Sequence, residues 1–216
     1  MSLRLIPLFL ALAWGLNLPA VKIALSALAP FTLRAVGLGS GALLLLLLLV
    51  WQRKRLLPPR SAWPGVVVGG LLTIAVFNLA TAWAQLSTTT SRAAVMTFTM
   101  PMMSALLSWW WLGDKPDRHR TLALALGTAG VAVLAWPVLS AIVQGGDTRL
   151  LKGLAFPLIA AAGWSSGTVI LKRWPVEGDR LVITAWQLLI GAAAGATGAL
   201  LTGEPAPAWP LPARVS

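Results

Sequence analysis

The sequence predicts an all-α protein, a polytopic helical membrane bundle of about seven transmembrane helices. Composition is the first reason. Of 216 residues, 57% are hydrophobic and 11% are charged, against ~25% charged in a soluble domain; the mean hydropathy is +0.79. Patterning is the second. The apolar residues fall into seven runs, each close to the ~20 residues that an α-helix needs to cross a bilayer. Short connections join the runs, and most of the charge sits in them.

The runs can be taken in order. The first, about 5–25, is too long for a signal core and contains Trp14, Asn17, Pro19 and Lys22, so it reads as a spanning helix. The second, about 32–51, carries Gly37 and Gly41 four residues apart. The third, about 63–86, has Gly65 and Gly69 on one side and puts Asn78, Thr81 and Gln85 on a shared face. The fourth, about 92–112, places Thr97, Pro101, Ser104 and Ser108 at helical spacing. Pro101 removes a backbone hydrogen bond there and predicts a bend about the helix middle. A stripe of small and hydroxyl residues serves either helix packing or a solute pathway. Trp109, Trp110 and Trp111 mark the headgroup level at its exit. The fifth, about 121–140, carries Gly127 and Gly130; the sixth, about 152–171, carries Trp164, Ser165 and Thr168. The seventh, about 181–202, carries Gly191, Gly195 and Gly198. These glycine seams let helix backbones approach closely in lipid. The Pro-rich tail PAPAWPLPARVS cannot form another span and reads as a disordered extracytoplasmic end.

Orientation follows from lysine and arginine. With the N-terminus inside, the inner connections hold Arg4, Arg53, Lys54, Arg55, Arg60, Lys115, Arg118, Arg120, Lys172, Arg173 and Arg180. The outer side holds Arg92, Arg149, Lys152 and Arg214. This bias predicts a cytoplasmic N-terminus and an outer C-terminal tail. It also accounts for the net charge of +11 without nucleic acid as a partner. Trp51, Trp63 and Trp136 flank spans and read as interface anchors.

Several chemistries are excluded by residue type. No cysteine is present and the one histidine, His119, lies in a connection, so a His- or Cys-ligated metal site is not expected. Nor is any cofactor implied. The six acids, Asp114, Asp117, Asp147, Glu177, Asp179 and Glu204, all fall in connections or at span ends. A proton relay through a mid-membrane carboxylate is therefore not available. The serines have no base beside them within a span. The chain reads as a non-enzyme. Its in-span polar groups are uncharged. Asn17 and Asn78 must meet a neighbouring helix, water or a solute, because an unpaired amide in hydrocarbon is costly. Lys22 and Arg34 lie near the outer ends of their spans. They either snorkel to the headgroups or ring an outer vestibule.

A shift of 150 residues lays Leu8, Ala11, Trp14 and Lys22 over Leu158, Ala161, Trp164 and Lys172. Five spans separate the two copies, and an odd number of crossings inverts the second. Inverted repeats that meet at a central site are a recurrent transporter plan.

With these motifs in order, the chain resembles the EamA-type transporters of the drug/metabolite transporter superfamily. The matching residues are Trp14-Gly15-Leu16-Asn17 through Lys22, then Pro30 and Arg34. In span four they are the alanine-rich start, Pro101 and the Leu112-Gly113-acid exit, followed by Gly130-Val131. Trp164 and Trp186-Gln187 open the second copy. Asp114 stands where the family has glutamate, and Ala123 where it has glycine.

The resemblance implies two inverted five-helix repeats around a substrate cavity. It divides this chain into a first repeat, 1–140, a partial second repeat of two helices, 141–202, and the tail, 203–216. It implies a carrier that moves small organic metabolites across the inner membrane by alternating access. Spans eight to ten of the family pattern have no counterpart. The reading is therefore a shortened member, or one that completes its bundle as a homodimer within the lipid bilayer. The alternative is a truncated, non-transporting membrane protein or assembly subunit. Within this frame the pathway candidates are Trp14, Asn17, Asn78, Gln85, Thr97, Pro101, Trp164 and Ser165, with Lys22 and Arg34 at the outer vestibule.

Overall fold

In the computed structural model, residues 5–144, 149–174 and 176–205 are described; the tail from residue 206 onward lies outside them. Every regular element among the described residues is helical. The elements are α1 (Leu5–Ala24), α2 (Pro30–Trp51), a short 3-10 turn (Arg60–Ala62), α3 (Trp63–Val68), a π-helical segment (Gly69–Val76) and α4 (Phe77–Ser87). They continue as α5 (Thr90–Thr97), α6 (Met100–Leu112), α7 (Arg118–Val143), α8 (Arg149–Arg173) and α9 (Arg180–Thr202). The stretch from Arg60 to Ser87 is one rod, and six of the helical rods are long and apolar enough to cross a membrane. The 22 residues of α2 make a rod of roughly 33 Å, enough for a ~30 Å hydrocarbon layer.

The fourth run is divided. The sequence predicts one helix bent at Pro101, but α5 ends at Thr97 and α6 begins at Met100. Proline tolerates the first turn of a helix and clashes with the carbonyl four residues back, here Thr97. The chain therefore restarts with Pro101 in the first turn of α6. At the joint, Thr99 Oγ1 donates to Met96 O at 2.8 Å. Gly113 closes α6 with φ +71° and Gly203 closes α9 with φ +65°, the left-handed conformation that a glycine takes without a Cβ clash.

Helices α2 and α9 form the most extensive pair, and α8 packs along α4, the π segment and α6. Gly195 carries the closest approach in the α2–α9 pair. A Cβ there would lie 2.8 Å from Ala35 N and 3.1 Å from Phe31 O. The pair is pinned at both ends. At one end, Glu204 accepts from Phe31 N (3.1 Å), Thr32 N (2.7 Å) and Thr32 Oγ1 (2.9 Å), capping the start of α2 with a carboxylate. At the other, Lys54 Nζ meets Asp179 Oδ2 at 2.6 Å. Asp179 also caps α9 through Leu181 N. The hydrogen bond from Lys54 holds the Asp179 carboxyl below its usual range.

Helices α1 and α7 lie at the margins. Helix α1 touches α4 and α5, and α7 touches α5, α6 and α8. Their outer faces expose Leu12, Leu16, Leu126 and Val133. So large an apolar surface suits lipid. Lys54–Asp179 and Lys172–Asp114 (3.2 Å) lie at the same end of the bundle. That end collects the basic connections. Trp63 packs edge-on against Trp186 there, at 5.0 Å between ring centroids, and Trp186 Nε1 donates to Leu56 O at 2.7 Å.

Candidate solute cavity

A cavity of about 370 Å³ opens inside the bundle between α1, α2, α4, the α5–α6 joint and α8. Its wall includes Trp14, Asn17, Arg34, Asn78, Thr97 and Trp164. Six of the ten residues singled out from the sequence thus meet at one place. A larger hollow of about 690 Å³ lies between the loops at the basic end, lined by Lys54 to Pro59 and Gly178–Asp179. That hollow sits outside the spanning helices, so we take the smaller one as the candidate site.

Each wall is built by ordinary helix chemistry. Trp14 of α1 and Trp164 of α8, the pair matched by the 150-residue shift, meet edge to face at 5.9 Å. Phe77 tilts against Trp164 at 5.0 Å. Asn78 Nδ2 donates to Ile74 O at 2.9 Å, which satisfies one N–H of that amide within its own helix. Thr81 and Thr97 likewise donate to the carbonyls four residues back, Phe77 O and Ala93 O, at 2.6 and 2.7 Å. Asn17 lines the cavity, and its side chain makes no hydrogen bond to another described residue. Arg34 is 8% exposed, and its Nε donates to Asn78 O at 2.9 Å. Among the described residues no acid lines the cavity or pairs with Arg34.

The other four candidates lie elsewhere. Gln85 is fully buried beside the α4–α5 turn, where its Oε1 accepts from Thr90 Oγ1 at 3.0 Å and its Nε2 has no protein partner. Lys22 Nζ donates to the backbone carbonyl of Gln85. Ser165 is fully buried and donates to Met100 O at 2.9 Å, tying α8 to the first turn of α6. Pro101 sits on an exposed face of α6. Thr97 and Ser104 do not share a face as the sequence predicts. The break at Phe98–Thr99 turns Thr97 into the cavity, while Ser104 and Ser108 line a separate shallow hollow with Asp114 and Arg120.

Sequence reasoning missed Phe77, Phe98 and Met100 in the wall. Apolar residues in an apolar span carry no signal of their own. The π segment hides Phe77 further. A π turn holds about one residue more than an α turn, and each added residue rotates the succeeding turns by ~100°. The close contacts around this segment come from glycines. A Cβ at Gly163 of α8 would lie 3.0 Å from Leu72 O, and one at Gly70 would lie 2.8 Å from Ile190 Cβ of α9.

A bundle of apolar, membrane-length helices around a partly polar cavity, acid-free among the described residues, defines a multi-pass membrane protein. The chain belongs to the EamA-like transporter family, which it matches over residues 4–136. It is 32% identical over 185 residues to the uncharacterised transporter YvbV of Bacillus subtilis, covering 85% of this chain and 58% of that protein. It is 25% identical over 181 residues to the uncharacterised transporter YoaV of the same organism, covering 84% of this chain and 61% of YoaV. Against a chloroplastic WAT1-related protein of Arabidopsis thaliana, identity is 26% over 180 residues, or 82% of this chain and 42% of the plant protein. The chain thus spans less than two thirds of the length of these relatives. No solved structure matches it.

Proposed function

We propose that this chain moves a small organic solute across the inner membrane by alternating access, with the α1–α8 cavity as the solute site and the N-terminus in the cytoplasm. One observation carries the reading. The two helices paired by the internal repeat meet through Trp14 and Trp164 in a cavity that also holds the buried guanidinium of Arg34. Inverted repeats that meet at a mid-membrane site supply two related arrangements, one open to each side. The loose packing of α1 on α4 and α5 supports it as the element that moves.

Flux through liposomes holding only this chain tests the carrier reading. The expected result is saturable uptake of a small organic solute that depends on the protein; vesicles that stay sealed to every solute class would favour the non-transporting alternative. The topology has its own test, helped by the lack of native cysteine. Ser26→Cys, at the end opposite the basic connections, is expected to react with an impermeant maleimide added to intact cells. Gln52→Cys, beside Arg53 and Lys54, is expected to react only after lysis. The reverse pattern would invert the assigned orientation.

A further inference from the structure

Resting on the carrier reading, we propose that the cavity selects a small monoanionic carboxylate with an aromatic or broad apolar body and no charged amine. Its carboxylate sits on Arg34, and its body lies against Trp14, Trp164 and Phe77.

Arg34 fixes the charge. Its side chain is buried among apolar helices, yet no acid pairs with it among the described residues. A buried cation without a counter-charge is costly. A ligand that brings its own anion removes that cost. The guanidinium has five N–H donors in a rigid fork. One of them, Nε–H, is held by Asn78 O. This contact fixes the plane of the fork in the cavity wall and leaves its terminal nitrogens for a carboxylate, which they match in a two-point geometry.

The number of charges follows from the other groups present. Lys22, the nearest other cation in sequence along the spans, is engaged at the Gln85 carbonyl and does not line the cavity. One positive group therefore faces the ligand, which suits one negative charge. Among the described residues no carboxylate in the wall is available to receive an ammonium, and an ammonium would share the space with the Arg34 guanidinium. Amines and zwitterions are disfavoured for that reason. The body follows from the rings. Trp164 touches both Trp14 and Phe77, giving an aromatic wall opposite few polar groups. A cavity of about 370 Å³ lies at the small end of the ~300–1,000 Å³ range for ligand sites. It suits a single-ring acid better than a nucleotide or an oligosaccharide.

The test uses three compounds that share one ring: phenylacetate, phenylalanine and phenethylamine. Radiolabelled phenylacetate is bound to the 216-residue chain in lipid nanodiscs, and the unlabelled three compete. The expected order puts phenylacetate ahead of both others by about tenfold or more, the scale of one charged hydrogen-bond pair. Arg34→Gln is expected to weaken phenylacetate by a similar factor and to erase the order. Arg34→Lys keeps the order at lower affinity. Trp14→Leu weakens all three together and keeps their order, which guards against Arg34→Gln failing to fold. Equal competition by the three, no saturable binding, or unchanged affinity in a folded Arg34→Gln protein would overturn the inference. Ordered binding without flux in proteoliposomes leaves the inference standing and removes the carrier reading. Flux that prefers phenethylamine keeps the carrier and removes the inference.

Discussion

Gly195→Leu is expected to abolish the folded bundle, a larger loss of stability than any other substitution named for this chain. The obstacle is backbone. Even a Cβ at this position lies 2.8 Å from Ala35 N and 3.1 Å from Phe31 O. A flexible side chain turns away from such a contact, but a helix backbone does not. Helices α2 and α9 would have to separate along their length, and with them the cap of Glu204 on Phe31 and Thr32. Overpacking of a core costs ~1–3 kcal/mol or more. In lipid no hydrophobic force draws parted helices back together, so the loss of close contact is not offset. Gly41→Ala is the control on the same pair. The nearest atom to a Cβ there is Leu188 Cδ1 at 3.6 Å, an ordinary contact, and the change is expected to stay within about 0.5 kcal/mol of the parent. Thermal unfolding in detergent, read with size-exclusion profiles, separates the two. A Gly195→Leu protein as stable as the parent would mean that the α2–α9 seam is not what holds the bundle.

The seam shows what the sequence could and could not disclose. Gly191, Gly195 and Gly198 recur at helical spacing, and spacing alone predicts that some helix comes close. It does not name the helix, because the partner is set by packing across the whole bundle. Residue Ala35, which receives the closest contact, has nothing in its surroundings to announce it. The same division holds at the cavity. Asn17, Asn78, Arg34 and the two tryptophans stand out because polar and aromatic groups are rare or patterned in a hydrocarbon-crossing run. Gln85 and Ser165 stand out for the same reason, yet they face the interior of the fold. Side-chain type marks them as needing partners, but only the three-dimensional arrangement says whether that partner is protein or solute. The division of the fourth run was half legible. Pro101 announces a fault, but whether a helix bends or stops there depends on what replaces its lost hydrogen bond. Thr97, Phe98 and Thr99 resolve it by closing one helix and opening another.

Trp164 and Ser165 put that distinction to a direct test, since they are neighbours in sequence with different surroundings. Trp164 lines the cavity and holds two aromatic contacts, to Trp14 at 5.9 Å and Phe77 at 5.0 Å. Aromatic pairs contribute ~0.5–1.5 kcal/mol each beyond area burial, so losing both amounts to roughly 1–3 kcal/mol. Trp164→Ala is expected to lower stability by that amount and, because Trp164 also lines the cavity, to cut saturable flux by about tenfold. Trp164→Phe keeps an aromatic face toward Trp14 and is expected to retain most of the flux. Ser165 has the opposite character. It is sealed in the α6–α8 contact, and its hydroxyl reaches Met100 O at 2.9 Å. Ser165→Ala removes that tie and is expected to lower stability by about 0.5–1.5 kcal/mol, with the solute's half-saturation concentration unchanged. The pair is decided by measuring flux and unfolding on the same preparations. If Ser165→Ala shifts half-saturation while Trp164→Ala shifts only unfolding, the solute pathway runs along the α6 side of α8, and the cavity between α1 and α8 is packing space.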